Sequence, residues 1–246
     1  MADMKNDDVG KNFRNVSINP QSEITRAIYE KYNPVIADAI SRRFPEQSTL
    51  SCLELGGGAG ALVKEVKKLL PGKNLVFTNV DRSEELLKAD AYSEHKILQA
   101  IEDIDPHVIG KFDVILVRYV LNYNNPDNQK RIIGKIKELL KPSGIFILHH
   151  VGAGDSKHKS LLNKLFSTDV VSKKLLRSQP YWTTWQEQLN CLHEASLTTT
   201  VLTQYNIPIG SLYKERYELT NTEEEKLHTF LGKYDFYEYV ISESVL

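Results

Sequence analysis

The stretch Leu50-Ser51-Cys52-Leu53-Glu54-Leu55-Gly56-Gly57-Gly58-Ala59-Gly60-Ala61-Leu62-Val63 decides the fold. Leu50 to Leu55 is a short apolar strand, and it ends on a cluster of glycines. Ala61 to Leu70 then carries Leu62, Val63, Val66, Leu69 and Leu70 at helical spacing, and Pro71-Gly72 stops it. Glycine at 56, 58 and 60 permits a tight strand-to-helix turn and lets a ligand lie against bare backbone. The first turn of the helix adds N–H groups with no intrahelical partner.

Outward from this turn, strands and helices alternate. Asn74 to Val80 is a second strand closed by Asp81, and Ser83 caps a helix with Glu84 and Glu85 in its first turn. Lys96 to Ala100 is a third strand. Phe112 to Val117 is a fourth, nearly all apolar as a central parallel strand should be. Asp127 begins a helix bearing Ile132, Ile133, Ile136, Leu139 and Leu140. Lys141-Pro142-Ser143-Gly144 ends it, and Ile145 to His149 is a fifth strand. This order predicts an α/β fold: a doubly wound, mostly parallel seven-stranded sheet. Beyond it, Leu161 to Leu176 and Gln186 to Ala195 read as helices, Leu197 to Tyr205 as a strand, Thr222 to Leu231 as a helix and Phe236 to Ile241 as a last strand. Ahead of the core, Ile24, Ile28, Tyr32, Val35, Ile36, Ala39 and Ile40 recur at helical spacing, and Pro34 is expected to kink or split that segment. The organisation expected is a flexible stretch at 1–20, an N-terminal helical cap at 21–47, and a ligand-binding α/β domain at 48–246 with a lid insertion at about 152–186.

Composition narrows the function. Among 246 residues, 31 basic and 32 acidic side chains leave a formal charge of −1, which gives no pull toward nucleic acid or anionic lipid. A small-molecule substrate is therefore expected, with no nucleic-acid and no membrane partner, for a monomer or homodimer. Cys52 and Cys191 have no metal-ligand spacing, and no metal is expected. No apolar run reaches bilayer length, and Met1 to Asp8 is polar and charged, so a cytoplasmic protein is expected.

Asp81 falls about twenty residues past the glycine turn, where an acid that holds ribose hydroxyls belongs. With Glu54 at the first strand's end, the turn fits a ligand bearing an amino group. A nicotinamide site would need Gly-x-Gly-x-x-Gly, which Gly58, Gly60, Leu62 and Val63 do not supply.

On Glu54-x-Gly56-x-Gly58-x-Gly60, Asp81, Phe112-Asp113-Val114-Ile115 and Leu139-Leu140-Lys141-Pro142-Ser143-Gly144-Ile145, the sequence resembles the class I S-adenosylmethionine-dependent methyltransferases over about residues 22 to 246. The resemblance implies S-adenosylmethionine as cofactor. Its methionine part would lie at the glycine turn, its ribose at Asp81 and its adenine near Ile101, Glu102 and Asp103. Arg118 joins these as a cofactor-side candidate that can also orient an acidic substrate. The stretch Arg118 to Asp127 is similar to that of small-molecule O-methyltransferases of the plant type, where a histidine base follows the Val-Leu pair. Here Asn122 stands in its place, and asparagine takes no proton near neutral pH. His149 and His150 are the other base candidates, on opposite faces of their strand. Tyr29, Tyr32, Tyr119, Tyr123 and Trp182 are the expected substrate-lining residues, with Tyr181 and Trp185 as further lid aromatics. Methyl transfer needs alignment and desolvation more than side-chain chemistry. Rival readings fare less well. An aminopropyltransferase would place an aspartate pair within Arg118 to Tyr123, and an amino-group methyltransferase on nucleic acid would carry an Asn/Asp-Pro-Pro-aromatic signature. Neither is present. The alternative kept open is a non-catalytic protein or partner subunit that binds S-adenosylmethionine or S-adenosylhomocysteine on the same fold.

Overall fold

The structure is a computed structural model describing residues 23–165, 180–217 and 219–246. The stretch expected to be flexible at 1–20, the later part of the helix expected over Leu161–Leu176 and the middle of the expected lid insertion lie outside those residues.

One sheet holds seven strands: β1 (Thr49–Leu55), β2 (Asn74–Asp81), β3 (His95–Leu98), β4 (Phe112–Arg118), β5 (Leu140–Gly152), β6 (Thr198–Ile207) and β7 (Tyr237–Val245). Their order is β3-β2-β1-β4-β5-β7-β6. The first five are parallel, and β7 runs antiparallel between β5 and β6. After β1 the chain builds one half of the sheet, and from β4 it builds the other. The crevice above the carboxyl ends of β1 and β4 is therefore the topological switch point, where open α/β sheets bind ligands.

The described helices are α1 (Glu23–Arg43), α2 (Ala61–Leu69), α3 (Glu84–Ala89), α4 (Pro106–Ile109), α5 (Pro126–Leu139), α6 (Ser156–Leu165), α7 (Trp185–Glu194), α8 (Ile209–Tyr217) and α9 (Asn221–Leu231). Short side chains cap several of them. Ser83 accepts from the Leu86 N–H, Asn125 from Asn128, and Thr184 and Thr220 form capping boxes with Glu187 and Glu223. Such caps contribute about 1 kcal/mol each.

Side-chain alternation assigns the two faces of the sheet. Cys52, Val114, Leu116, Ile145 and Ile147 pack under α1 and α2 with Ile36, Ile40, Leu62, Val63 and Val66. Leu53, Leu55, Ile115, Val117, Phe146 and Leu148 pack on the other face against α5 and α7, meeting Ile132, Ile133, Ile136 and Leu192. Each fully buried aliphatic side chain contributes roughly 1.5–3 kcal/mol. On the second face Ser51, Asp113 and Lys141 tie β1, β4 and β5 together. Lys141 Nζ lies 2.9 Å from Asp113 Oδ2, which also accepts from Ser51 N–H at 2.8 Å.

Two expectations change. Helix α1 runs through Pro34 as one helix, so the segment is not split there. Pro34 and Glu30, four residues earlier, are both exposed, so the carbonyl that loses its N–H partner faces water. The segment Lys141-Pro142-Ser143-Gly144 does not separate helix from strand as a turn. It lies inside β5, and the register against β4 jumps from Phe112↔Leu140 to Val114↔Ile145. The extra residues loop out as an irregularity at the sheet's end, where proline's missing N–H costs no ladder bond.

Candidate active site

At the end of β1 the backbone enters the left-handed region three times, with φ of 68° at Gly56, 54° at Gly58 and 73° at Gly60. Crowding adds to conformation there. A methyl on Gly57 would fall 2.4 Å from Glu54 Oε2, and one on Gly60 would fall 2.2 Å from Asp90 Oδ1. The loop is also pinned from β2. Asp81 Oδ2 accepts from the Gly58 N–H at 2.9 Å and Oδ1 accepts from the Ser83 N–H at 2.8 Å. Asn79 Nδ2 donates to the Gly58 carbonyl at 3.0 Å and to Asp90 Oδ2 at 2.8 Å. Asp90 in turn accepts from the Tyr92 and Ser93 N–H groups.

The charges at this loop are perturbed in a telling way. Glu54 is buried, and among the described residues its Oε2 has no hydrogen-bond partner. Burial pushes its carboxyl up to about 8, against the pull of the nearby Arg118 guanidinium and with the push of Asp90 and Asp81. A buried acid with a free oxygen beside a glycine cradle is suited to a cationic group supplied by a ligand. Burial also raises Asp81, against the N–H groups of Ser83 and Gly58 that favour its ionised form. The segment expected near adenine lies next to Asp81, because Gln99 N–H donates to the Asp81 carbonyl at 3.0 Å. There Ile101 is buried with Leu55 and Val80, Glu102 is half-buried and Asp103 is exposed.

Past β4 the chain turns sharply, with Tyr119 at φ 58°. This left-handed conformation is unfavourable for a bulky residue, and such residues cluster at functional sites. Tyr119 lies among aromatics. Its hydroxyl is 3.2 Å from His149 Nε2, which is also 2.7 Å from the Tyr205 hydroxyl. Tyr205 stacks on Tyr32 at 3.6 Å between centroids and on Tyr239 at 5.1 Å. Arg118 lies with its guanidinium carbon 4.2 Å from the centre of the Tyr29 ring, and it donates to Asn33 Oδ1 at 3.4 Å. Tyr29, Tyr32, Arg118, Tyr119 and His149 thus come together beneath α1.

The two histidines of β5 diverge, as strand alternation requires. His149 faces the tyrosines, whereas His150 lies 6.0 Å from Trp185 between ring centres on the α7 side. Burial holds His149 well below the usual imidazole range, helped by Arg118 and His150, and it brings His150 down to about 4. Asn122 is buried in the 3-10 turn Leu121–Tyr123 with Oδ1 unpartnered, and its carbonyl accepts from the Tyr181 N–H at 2.6 Å. Tyr123 is half-buried in that same turn. Trp182 is only 5% exposed and stacks on Tyr237 at 4.8 Å, which places it in the packed cluster of Val151, Leu162 and Leu212.

Several of these residues carried no sequence signal. Asn33, Asp90, Tyr205 and Tyr239 meet the site only through the fold. Asn79 carried one: it is a polar residue in an otherwise buried strand segment, Phe77 to Val80, and such a residue must have a partner. Among the described residues no helix is long and apolar enough to cross a membrane, and no group of three or more His, Cys, Asp and Glu side chains is arranged to hold a metal ion.

A family model described as a methyltransferase domain matches residues 53–146, the segment from β1 through β5 that carries the glycine turn, Asp81 and Arg118. A carboxy-S-adenosyl-L-methionine synthase of Shewanella amazonensis is 25% identical over 101 residues, 39% of this chain and 42% of the relative. One from Desulfotalea psychrophila is 22% identical over 126 residues, 49% of this chain and 51% of the relative. The chain spans about half the length of these curated relatives. Among solved structures, the YcgJ protein of Bacillus subtilis superposes with a TM-score of 0.60 at 14% identity, covering 86% of this chain and 97% of that one. A magnesium protoporphyrin IX methyltransferase from Synechocystis, with bound S-adenosylhomocysteine, superposes with a TM-score of 0.58 at 12% identity, covering 98% and 96%. The chain has the Rossmann-like methyltransferase fold.

Proposed function

We propose that this chain, whose residues 53–146 match a family model described as a methyltransferase domain, transfers a methyl group from S-adenosylmethionine to a small molecule. The observation that carries the reading is the Glu54 carboxyl, buried, with an oxygen that has no partner, set against Gly57 while Asp81 grips the next glycine. A ligand with an ammonium at one end and a ribose at the other satisfies both acids.

When bound, S-adenosylmethionine supplies a methyl already activated on a sulfonium. The chain's own work is to bind and orient. Glu54 receives the amino group, and the bare backbone of Gly56 to Gly58 allows close approach. Asp81 keeps unused lone pairs for the ribose hydroxyls, while Gly58 and Ser83 fix its direction. Ile101, Glu102 and Asp103 lie within reach of the nucleoside end. Tyr119 closes the acceptor side, held by its bond to His149. Helix α1 supplies Tyr29 and Tyr32 over that side, a cover that excludes water from the transfer.

A small acceptor is supported by the balanced charge of the chain and by the half-buried aromatic cluster of Tyr29, Tyr32, Tyr119 and Tyr205. Calorimetry with S-adenosylmethionine and S-adenosylhomocysteine tests the reading. Binding of both is expected, and binding of neither overturns it. A screen of metabolite pools with methyl-labelled donor then separates an enzyme from a protein that only holds the nucleoside.

A further inference from the structure

Arg118 ends β4 half-buried, on the same face of the sheet as Glu54. Among the described residues no carboxylate lies within ion-pair distance of its guanidinium, whose contacts are the rings of Tyr29 and Tyr119 and the amide of Asn33. Asn33 lies in α1, is 2% exposed, and spends its Oδ1 on Arg118. Among the described residues its Nδ2 group has no acceptor. A guanidinium and an orphaned amide donor therefore lie side by side, roofed by an aromatic ring, with nothing anionic between them. Burying such a donor without a partner costs about 1–3 kcal/mol, which an anionic oxygen at this place would recover. Lys31 adds a second positive group over Tyr32, 5.3 Å from its ring centre.

We propose that Arg118 and Asn33 form the subsite that holds a carboxylate of the methyl acceptor, so that the acceptor is a small carboxylic acid. The proposal rests on the methyltransferase reading and gives it a substrate class. Position favours the acceptor over the cofactor's own carboxylate. Glu54 pairs in register with Leu116, and Arg118 lies two residues further along β4, about 7 Å beyond. That sets the residue beside Tyr119 and under Tyr29, at the edge of the aromatic cluster, with its guanidinium against those rings. The guanidinium fork matches two carboxylate oxygens, and the Asn33 amide supplies a third donor.

The test uses the full chain saturated with S-adenosylhomocysteine and titrated with benzoate, phenylacetate and octanoate, each beside its primary amide. At least one acid is expected to bind about tenfold more tightly than its amide, as charge-assisted bonds require. Arg118→Met should erase that preference. Asn33→Asp, which places a carboxylate on Arg118 from within, should erase acid binding while the protein stays folded by circular dichroism. Absence of acid binding, equal binding of acid and amide, or a preference that survives in both variants overturns the proposal. A second arm compares S-adenosylhomocysteine with its decarboxylated analogue. The ratio of their affinities should be the same in wild type and Arg118→Met. If the variant loses affinity only for the carboxylated nucleoside, the subsite serves the cofactor and the acceptor assignment falls. Failure of the wild type to bind either nucleoside is seen before any acid is added, and it refutes the methyltransferase reading instead.

Discussion

Glu54 makes a sharp prediction about protons. Its carboxyl titrates at about 8 in the unliganded protein because burial penalises its ionised form. A ligand ammonium placed against Oε2 removes that penalty and ionises it. At pH 7 about one in eleven molecules starts ionised, so binding should release about 0.9 proton per ligand. Affinity for S-adenosylhomocysteine should then rise by nearly tenfold per pH unit at the acid end, or about 24-fold from pH 6 to 7.5, a window below the titration of the ligand's own amine. Calorimetry in buffers of different ionisation enthalpy reads the proton count directly, and Glu54→Gln should abolish the release. The same group sets a slope in stability. Its folded value lies above the 4.5 of the exposed carboxyl, so the folded state holds the proton longer. Its contribution to the stability of the free protein is greatest below 4.5 and falls by about 1.4 kcal/mol per unit as pH rises toward 8, and urea titrations should lose that component of the slope in Glu54→Gln. A flat affinity between pH 6 and 7.5, with heats indifferent to buffer, would refute the assignment of Glu54 to the amino group.

Three further outcomes follow from the same geometry. Asp81→Ala should weaken nucleoside binding by about 1–3 kcal/mol through loss of charged hydrogen bonds, and an unchanged dissociation constant would remove Asp81 from the site. Gly60→Ala combines a left-handed backbone with a methyl driven into the Asp90 carboxylate, so it should cost about 3 kcal/mol in urea unfolding and carry nucleoside affinity down with it; wild-type stability would contradict the packing around Asp90. Asp113→Asn removes the anion that Lys141 and Ser51 hold below the usual carboxylate range, and about 1–2 kcal/mol of stability should go with it at pH 7. Because the Asp113 value is lowered, its contribution exists above the ordinary carboxylate range and fades as pH falls through its own value. The variant and wild type should therefore converge in acid, and a gap that persists there would show that the ion pair is not the cause.

What could be read from the chain is what is local. The glycine turn, Asp81 and the apolar strands each declare themselves within a dozen residues, because backbone conformation and side-chain period are short-range properties. The same locality misled at Pro34, where a single residue says nothing about whether the opposite carbonyl faces water. It misled again at Pro142, where a helix-stop signal and a strand irregularity use the same residues. The contacts that shape the acceptor side have no local trace. Arg118 and Asn33 are 85 positions apart and His149 and Tyr205 are 56 apart. Aromatic residues are common to cores and binding sites, so spacing alone cannot say that Tyr32 stacks on Tyr205 while Trp182 stacks on Tyr237, nor that Tyr205 packs against the cluster that holds Trp182.

The histidines sharpen the chemistry of the acceptor. Burial that lowers an imidazole's affinity for protons makes it a poor general base near pH 7, since base strength falls with pKa. His149 and His150 are both lowered in this way, by the strand that buries one on each face. Asn122, in the position where a base would follow the Val-Leu pair, takes no proton at all. Tyr119 is pushed further from ionisation by burial and by neighbouring tyrosines. None of these four groups is poised to strip a proton from a phenol or an alcohol. An acceptor that arrives already ionised makes no such demand, and a carboxylate is ionised throughout the neutral range. The amide of Asn33, the guanidinium of Arg118 and the weakened imidazoles of β5 are therefore consistent with the same proposed acceptor class: the first two by what they would bind, the others by the proton transfer they are unsuited to perform.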